Sequence, residues 1–164
     1  MKSFLVYISL TAMLIFYNTI SLACSCKETE QKLLFNDADA VFLAEVTDTK
    51  LKKVKLSKHR DELDDIIEAK FTVIEVLKKS TYEVDIVRDL SFGVGNCSIG
   101  LISGMEYIFF VKKGEDLLTN YIGMCTGSRP VNMHAKDFEA ELEKIRDIGK
   151  DELKFKISLR FIKF

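Results

Sequence analysis

The chain has 164 residues, a formal net charge of −1, four cysteines, one proline and no tryptophan. This length favours one domain, or one domain with appendages, and a hydrophobic content of 48% is too high for a disordered chain. The near-zero charge gives no reason to expect a nucleic-acid partner, which a basic excess would indicate.

Residues 1–23 have the layout of a secretory signal peptide. Lys2 is their only charged residue, an apolar run covers Phe4–Tyr17, and the small residues of Ser21–Ala23 precede a cleavage point. A transmembrane anchor is the alternative, but no basic cluster follows the apolar run at once. We therefore expect a secreted, extracellular protein whose mature chain begins at Cys24.

All four cysteines lie in the exported part of the chain, at Cys24, Cys26, Cys97 and Cys125. An even number of cysteines in an oxidising compartment predicts two disulfides. A bridge between Cys24 and Cys26 would close a very tight ring, so the two long-range pairings are favoured and both stay open. A tetrahedral zinc site is the rival use of four thiolates, but its usual Cys-x-x-Cys spacing is absent.

The first half of the mature chain is predicted to form one helix followed by strands. A short helix is predicted over Glu28–Asn36 and a buried strand over Ala40–Val46. The charged stretch Asp48–Glu68 is interpreted as a solvated excursion between two strands, with a partner-contacting arm as the alternative. Strands are then predicted over Ala69–Leu77 and Tyr82–Ile86.

The second half contains a glycine-rich loop, a hairpin and a helix. Three glycines within residues 93–100 predict a loop around Cys97. Glu106–Val111 is predicted as a strand, with Tyr107, Phe109 and Val111 on one face, and Leu117–Cys125 as its return strand. Apolar residues at helical spacing predict a helix over Ala135–Ile148, with Gly149 as its C′ residue.

Residues 150–164 form a separate amphipathic tail. Phe155, Ile157, Leu159 and Phe161 alternate with basic or polar residues, which fits either one more edge strand or a basic segment that contacts a membrane or a partner. For the body, at least five strands with short connections and terminal helices predict a small, closed or partly open β-barrel, because closure removes the strand edges.

The sequence contains no catalytic constellation, so we expect no enzyme and no cofactor of the protein's own. Its two histidines, His59 and His134, have unrelated surroundings, and no metalloprotease, hydrolase or phosphate-loop motif is present. The α-amino group of a mature Cys24 would have a pKa of roughly 7.7–8.0. Together with the Cys24 carbonyl it would form a bidentate chelate, and we expect such a chelate to suit the open position of a catalytic zinc, with Ser25 pointing into the pocket beside it.

Several motifs together carry a family resemblance. These are Cys24-Ser25-Cys26 directly after a signal, the strands Asp39–Val46 and Ala69–Lys79, Cys97 in a glycine-containing loop before Tyr107–Phe110, and Leu117-Leu118 leading to Cys125 and a helix. The chain resembles the tissue inhibitors of metalloproteinases and, more broadly, the netrin-like module. The resemblance covers about residues 24–146.

The resemblance implies a five- to six-stranded OB-type barrel over residues 24–149, with a short N-terminal helix and a C-terminal helix packed on it. It implies the disulfides Cys24–Cys97 and Cys26–Cys125. It also implies a secreted inhibitor of zinc metalloproteases, which we expect to be a monomer. Cys24 would bind the protease's zinc through its amine and carbonyl, Ser25 would enter the primed-side pocket, and the residues expected at the protease are Cys24, Ser25, Cys26, Lys27, Gly95, Asn96 and Cys97.

Three features favour an alternative from another functional class. The third disulfide and the cysteine-rich C-terminal domain of the inhibitors are absent, and Lys27-Glu28 replaces an apolar continuation. The alternative is a secreted netrin-like binding or structural module that inhibits nothing. Ile20–Cys24 also partly resembles a bacterial lipobox, and acylation of Cys24 would tether such a module to a membrane.

Overall fold

The computed structural model describes residues 25–55, 63–91, 97–114 and 119–161, with the side chains of 152–161 outside this description. The elements, in chain order, are α1 (Gln31–Asp37), β1 (Ala40–Val54), β2 (Asp64–Lys78), β3 (Val87–Leu90), β4 (Glu106–Val111), β5 (Arg129–Pro130) and α2 (Phe138–Phe161). A short 3-10 helix, Met124–Thr126, lies between β4 and β5. The five strands form one antiparallel sheet in the order β3-β2-β1-β4-β5, which confirms a mainly β protein.

Residues Ala40–Ala44 of β1 and Tyr107–Val111 of β4 are buried on both faces, as their continuous apolar sequences require. Phe42 pairs with Phe109 in the ladder between them. On one face these two residues join a cluster that also contains Tyr107 and Val111, so the predicted shared face of β4 is confirmed. The rings of Phe42 and Phe71 stack at 4.9 Å, and those of Tyr107 and Phe109 at 5.4 Å.

The other face of the sheet is covered by the two helices. Val41 and Leu43 of β1 and Ile108 and Phe110 of β4 project to this face. They pack against side chains from α1 and α2, namely Phe35, Phe138, Leu142 and Ile145. The predicted short N-terminal helix and C-terminal helix are therefore present and lie on the sheet.

The charged stretch Asp48–Glu68 is largely β-structure, so its prediction as an excursion between strands is wrong for the residues described. β1 and β2 continue outward as an antiparallel ribbon in which Lys50 pairs with Glu68 and Lys53 with Asp65. Opposite charges face each other across this ribbon, and such cross-strand pairs stabilise a sheet. Lys52 also forms an ion pair with Glu68. Residues 56–62 lie outside the described part.

Two predicted strands are also corrected. Residues 83–86 have no strand structure, and the strand begins at Val87, because it is Val87–Leu90 that pairs with Ile66–Ala69 of β2. In the described part of Leu117–Cys125, the chain makes only isolated bridges at Tyr121 and then enters the 3-10 helix. The antiparallel neighbour of β4 is instead β5.

The C-terminal helix is longer than predicted. α2 continues through Gly149 to Phe161, so the assignment of Gly149 as a C′ residue and the edge-strand interpretation of the tail are both wrong. No proline follows Gly149 to end the helix, and the residues after it include good helix formers. Within the described residues, neither helix has the length and apolar composition needed to cross a membrane.

Candidate functional site

The segment Ser25–Lys27 runs along the surface ahead of α1 without regular secondary structure. The Ser25 and Lys27 residues are exposed and Cys26 is half-buried between them. Thr29 Oγ1 donates a hydrogen bond to the Lys27 carbonyl at 3.0 Å. We call Ser25–Lys27, with Cys97 and Cys125, the N-terminal edge.

A disulfide fastens this segment to the far half of the chain. Cys26 is bonded to Cys125, with a Cα–Cα distance of 5.2 Å, so the pairing implied by the family resemblance is confirmed. The bridge closes a long loop, which by the chain-entropy argument stabilises a fold by roughly 2–5 kcal/mol. It also restrains Ser25, one residue away, on the exposed surface.

Cys97 lies against this bridge and is itself disulfide-bonded. Its Sγ atom is 3.7 Å from Sγ of Cys125, and the sulfur atoms of Cys26, Cys97 and Cys125 all lie within 4.8 Å of one another. The Cys97 carbonyl accepts a hydrogen bond from the Met124 N–H at 2.8 Å. Because these sulfurs are in disulfides, they are not the thiolates that the rival zinc site would need.

The described part of the chain brings together Ser25, Cys26, Lys27 and Cys97 of the predicted protease-binding set. Cys24, Gly95 and Asn96 lie outside the described residues. The pairing of Cys24 with Cys97 and the chelating role of Cys24 therefore stay predictions.

A buried carboxylate that the sequence analysis missed supports the chain beside Cys97. Asp89 of β3 has no exposed surface. Its Oδ1 accepts the Leu90 N–H at 2.9 Å, and its Oδ2 accepts from Ser98 Oγ at 2.7 Å, Ile99 N–H at 2.8 Å and Gly100 N–H at 3.2 Å. Burial raises the pKa of Asp89, and these hydrogen bonds only partly oppose that shift.

The signal for this carboxylate was present in the sequence. Residues alternate between the two faces of a strand, so a strand that starts at the apolar Val87 places Asp89 on the same buried side. A buried carboxylate needs hydrogen-bond donors. The prediction of Tyr82–Ile86 as the strand hid this inference, because it left Asp89 outside the strand.

A second buried side chain also fixes this part of the chain. The Tyr107 hydroxyl of β4 donates to the Gly100 carbonyl at 2.8 Å and accepts the Ile102 N–H at 3.0 Å. Gly100 has φ of 72°, a left-handed conformation that glycine adopts without steric cost. Asp89 and Tyr107 thus define the backbone path of residues 98–102.

The chain around Cys125 is packed just as closely. An added Cβ at Gly123 would lie 2.6 Å from the Tyr121 hydroxyl oxygen and 3.3 Å from the Cys97 carbonyl oxygen, so there is no room for a side chain. Thr126 Oγ1 lies 2.8 Å from the Gly123 carbonyl, to which it can donate, and 3.0 Å from Ser128 Oγ. Cys125 itself is exposed between these buried groups, as a residue that anchors a surface segment must be.

No protein-family model and no curated protein matches the chain. The candidate site is therefore assigned from its own residues and geometry.

Proposed function

We propose that the protein is a secreted inhibitor of zinc metalloproteases that presents the mature N-terminus at Cys24 to the protease. The observation that carries the proposal is the Cys26–Cys125 disulfide, which holds the residue next to Cys24 on an exposed edge. Preorganisation of this kind lowers the entropic cost of binding, since the segment is already ordered before the protease arrives.

In the proposed mechanism, the protease supplies the metal and the inhibitor supplies two ligands. The α-amino nitrogen of Cys24 is partly neutral at physiological pH, given a usual pKa of roughly 7.7–8.0. This nitrogen and the Cys24 carbonyl oxygen replace the water on the open position of the catalytic zinc. Ser25 enters the adjoining pocket, and Lys27, Gly95 and Asn96 contact its rim.

We further propose that the sheet closes into an OB-type, netrin-like barrel. Supporting this, Tyr121 makes bridges to both Arg88 of β3 and Lys112 next to β4. The Arg88 N–H donates to the Asn120 carbonyl at 3.0 Å, and the Lys112 N–H donates to the Tyr121 carbonyl at 3.3 Å. These contacts link the two sides of the sheet around the cluster that contains Phe42 and Phe109.

The decisive experiment compares the chain that starts at Cys24 with the same chain carrying one alanine before Cys24. The added residue turns the amine into an amide and moves the new amine away from the zinc. We expect the first protein to inhibit zinc metalloproteases and the second to show an inhibition constant about 100-fold higher, equal to about 2.7 kcal/mol. Steady-state inhibition assays over a panel of zinc metalloproteases measure both constants.

A matched control carries the extra alanine after Phe164 instead and should inhibit as the unextended protein does. Mass spectrometry of the unreduced proteins checks that both disulfides are intact in all three. Equal inhibition by the two N-terminal forms would contradict the chelation mechanism.

One observation favours the alternative of a non-inhibitory binding module. Val73 and Val76 of β2 are 44% and 58% exposed and line one groove with Phe42 and Phe71, and exposed apolar side chains that lie together on a folded domain are typical of an interaction surface. If no protease of the panel is inhibited by the chain that starts at Cys24, the binding module becomes the better assignment.

A further inference from the structure

The Asp89 carboxylate connects β3 to the chain that carries Cys97. It accepts hydrogen bonds from Leu90 on the strand and from Ser98, Ile99 and Gly100 beyond Cys97. Because the side chain has no exposed surface, water cannot replace a donor that is lost. The three bonds from residues 98–100 therefore hold this stretch at one position relative to the sheet, while the bond from Leu90 orients the carboxylate.

From residues 98–100, described contacts lead directly to the N-terminal edge. The Cys97 carbonyl, next to Ser98, accepts the Met124 N–H at 2.8 Å. The Cys97 and Cys125 sulfurs touch at 3.7 Å. Cys125 is bonded to Cys26, and Ser25 is the residue directly before Cys26. A shift of residues 98–100 would thus move groups that contact the anchor of the exposed segment.

We propose that Asp89 is a positioning residue of the N-terminal edge. Its carboxylate fixes Cys97 and, through Met124 and Cys125, sets where Cys26 and Ser25 lie. Asp89 is too deeply buried to touch a protease, so its effect on inhibition is indirect and rests on the proposed function. Its effect on the edge itself does not depend on that function.

The test uses Asp89→Asn in the chain that starts at Cys24, with Ser98→Ala as a milder variant. Asparagine places an NH₂ group where one carboxylate oxygen accepts hydrogen bonds, so at least one backbone N–H loses its partner. The matched control is Ile145→Val, a change in α2 on the helix-covered face of the sheet, where Ile145 is fully buried. The three variants are compared at conditions of equal global stability.

Two readouts are measured, amide hydrogen exchange at Met124 and the inhibition constant. Asp89→Asn should speed exchange of the Met124 amide and raise the inhibition constant, each by about tenfold, as expected from the loss of one buried hydrogen bond. Ser98→Ala should move both readouts in the same direction by about threefold. Ile145→Val should leave both unchanged, because it loosens only the opposite face.

The outcomes separate this proposal from the proposed function. Faster Met124 exchange in Asp89→Asn, in a protein that inhibits nothing, supports the positioning role and contradicts the inhibitor. If the unmodified chain inhibits normally and Asp89→Asn leaves the exchange rate of the Met124 amide unchanged, as Ile145→Val does, the positioning role is contradicted and the proposed function is not. If Asp89→Asn does not fold, Ser98→Ala decides by the same comparison.

Discussion

Ser128, the residue directly before β5, carries a buried hydroxyl that completes the hydrogen bonding of β4 beyond the two residues that pair with β5. β5 pairs with β4 only at Tyr107 and Ile108. Further along β4, the Phe110 N–H donates to Ser128 Oγ at 2.8 Å, and the Ser128 hydroxyl lies 3.2 Å from the Phe110 carbonyl oxygen. The side chain therefore takes the place of a missing strand partner for the backbone.

Ser128→Ala should lower the free energy of unfolding by about 1–3 kcal/mol, because it leaves the buried Phe110 N–H unpaired. The matched control is Ser103→Ala, which removes an exposed hydrogen bond to the Thr47 carbonyl and should cost no more than about 0.5 kcal/mol. Denaturant unfolding of the two variants measures the difference. Equal losses would contradict the role assigned to Ser128.

For single residues, the sequence pointed to the structural role of residues with distinctive chemistry, such as the cysteines. It did not point to residues whose role comes from their environment in the fold. The Cys26–Cys125 pair was accessible only through the family resemblance, because the residues alone left both long-range pairings open. Asp89 and Ser128 are ordinary residue types, and only their burial makes them important. The burial of Ser128 depends on which residues pack around it, which no local pattern of the sequence contains, whereas the burial of Asp89 was hidden by the wrong start predicted for β3.

Gly149 shows how an element can be misjudged from one residue. A glycine after an amphipathic run is typical of a helix end, yet α2 passes through it. An added Cβ at Gly149 would lie 3.1 Å from the Leu77 carbonyl oxygen and 3.3 Å from the Phe35 ring. The glycine is therefore needed for the close approach of α2 to β2 and α1.

Gly149→Ala should destabilise the protein by about 1 kcal/mol, although alanine is the better helix former by about that amount. The Leu77 carbonyl is a backbone group of β2, so it can make room for the new methyl group only if the backbone of β2 moves. Lys144→Gly, at an exposed position of the same helix, should also cost about 1 kcal/mol, and this control measures the helix propensity alone. Thermal unfolding checks both, and a stabilised Gly149→Ala would contradict the close packing.

Other elements were predictable where the pattern was strong. The alternating faces of β4 and the apolar beginning of β1 identified the sheet core. Apolar runs of this kind are buried in nearly any globular fold, so their burial does not depend on knowing their neighbours. The ribbon of Asp48–Val54 and Asp64–Glu68 was missed, since its strands are stabilised by charge pairs between residues that are distant in the sequence, such as Lys53 and Asp65. The tail was ambiguous because its apolar residues alternate, although it folds as a helix.

For the whole molecule, two carboxylates make opposing contributions to stability as pH changes. Hydrogen bonds from Arg146 lower the pKa of Glu75 below its ordinary value of 4.5. Glu75 therefore contributes stability above pH 4.5 that is lost as pH falls through its folded pKa. Burial raises the pKa of Asp89 above its ordinary value of 3.8, so the folded state binds more protons there than the unfolded state.

The sign for Asp89 follows from this proton uptake. The contribution of Asp89 to the stability of the folded state is greatest below pH 3.8, and it declines as the pH rises through the pKa of Asp89 in the folded state. Tyr107 and Tyr121 are electrostatically coupled to Asp89, but burial raises the pKa of each hydroxyl above 10.0, so both stay neutral throughout this range. The Arg146–Glu75 contact on the helix-covered face and the carboxylate beside Cys97 thus contribute to stability in acid with opposite signs.

Free energies of unfolding measured between pH 3 and pH 7 should separate the two contributions. Glu75→Gln should flatten the loss of stability below pH 4.5, because no carboxylate remains there to be protonated. Asp89→Asn should make stability rise more steeply with pH above 3.8, since the opposing contribution is removed. An Asp89→Asn curve parallel to that of the unmodified protein would contradict the raised pKa. In that case the hydrogen bonds from Leu90, Ser98, Ile99 and Gly100 would fully offset the burial of the charge, and the anchor beside Cys97 would hold equally well across this range.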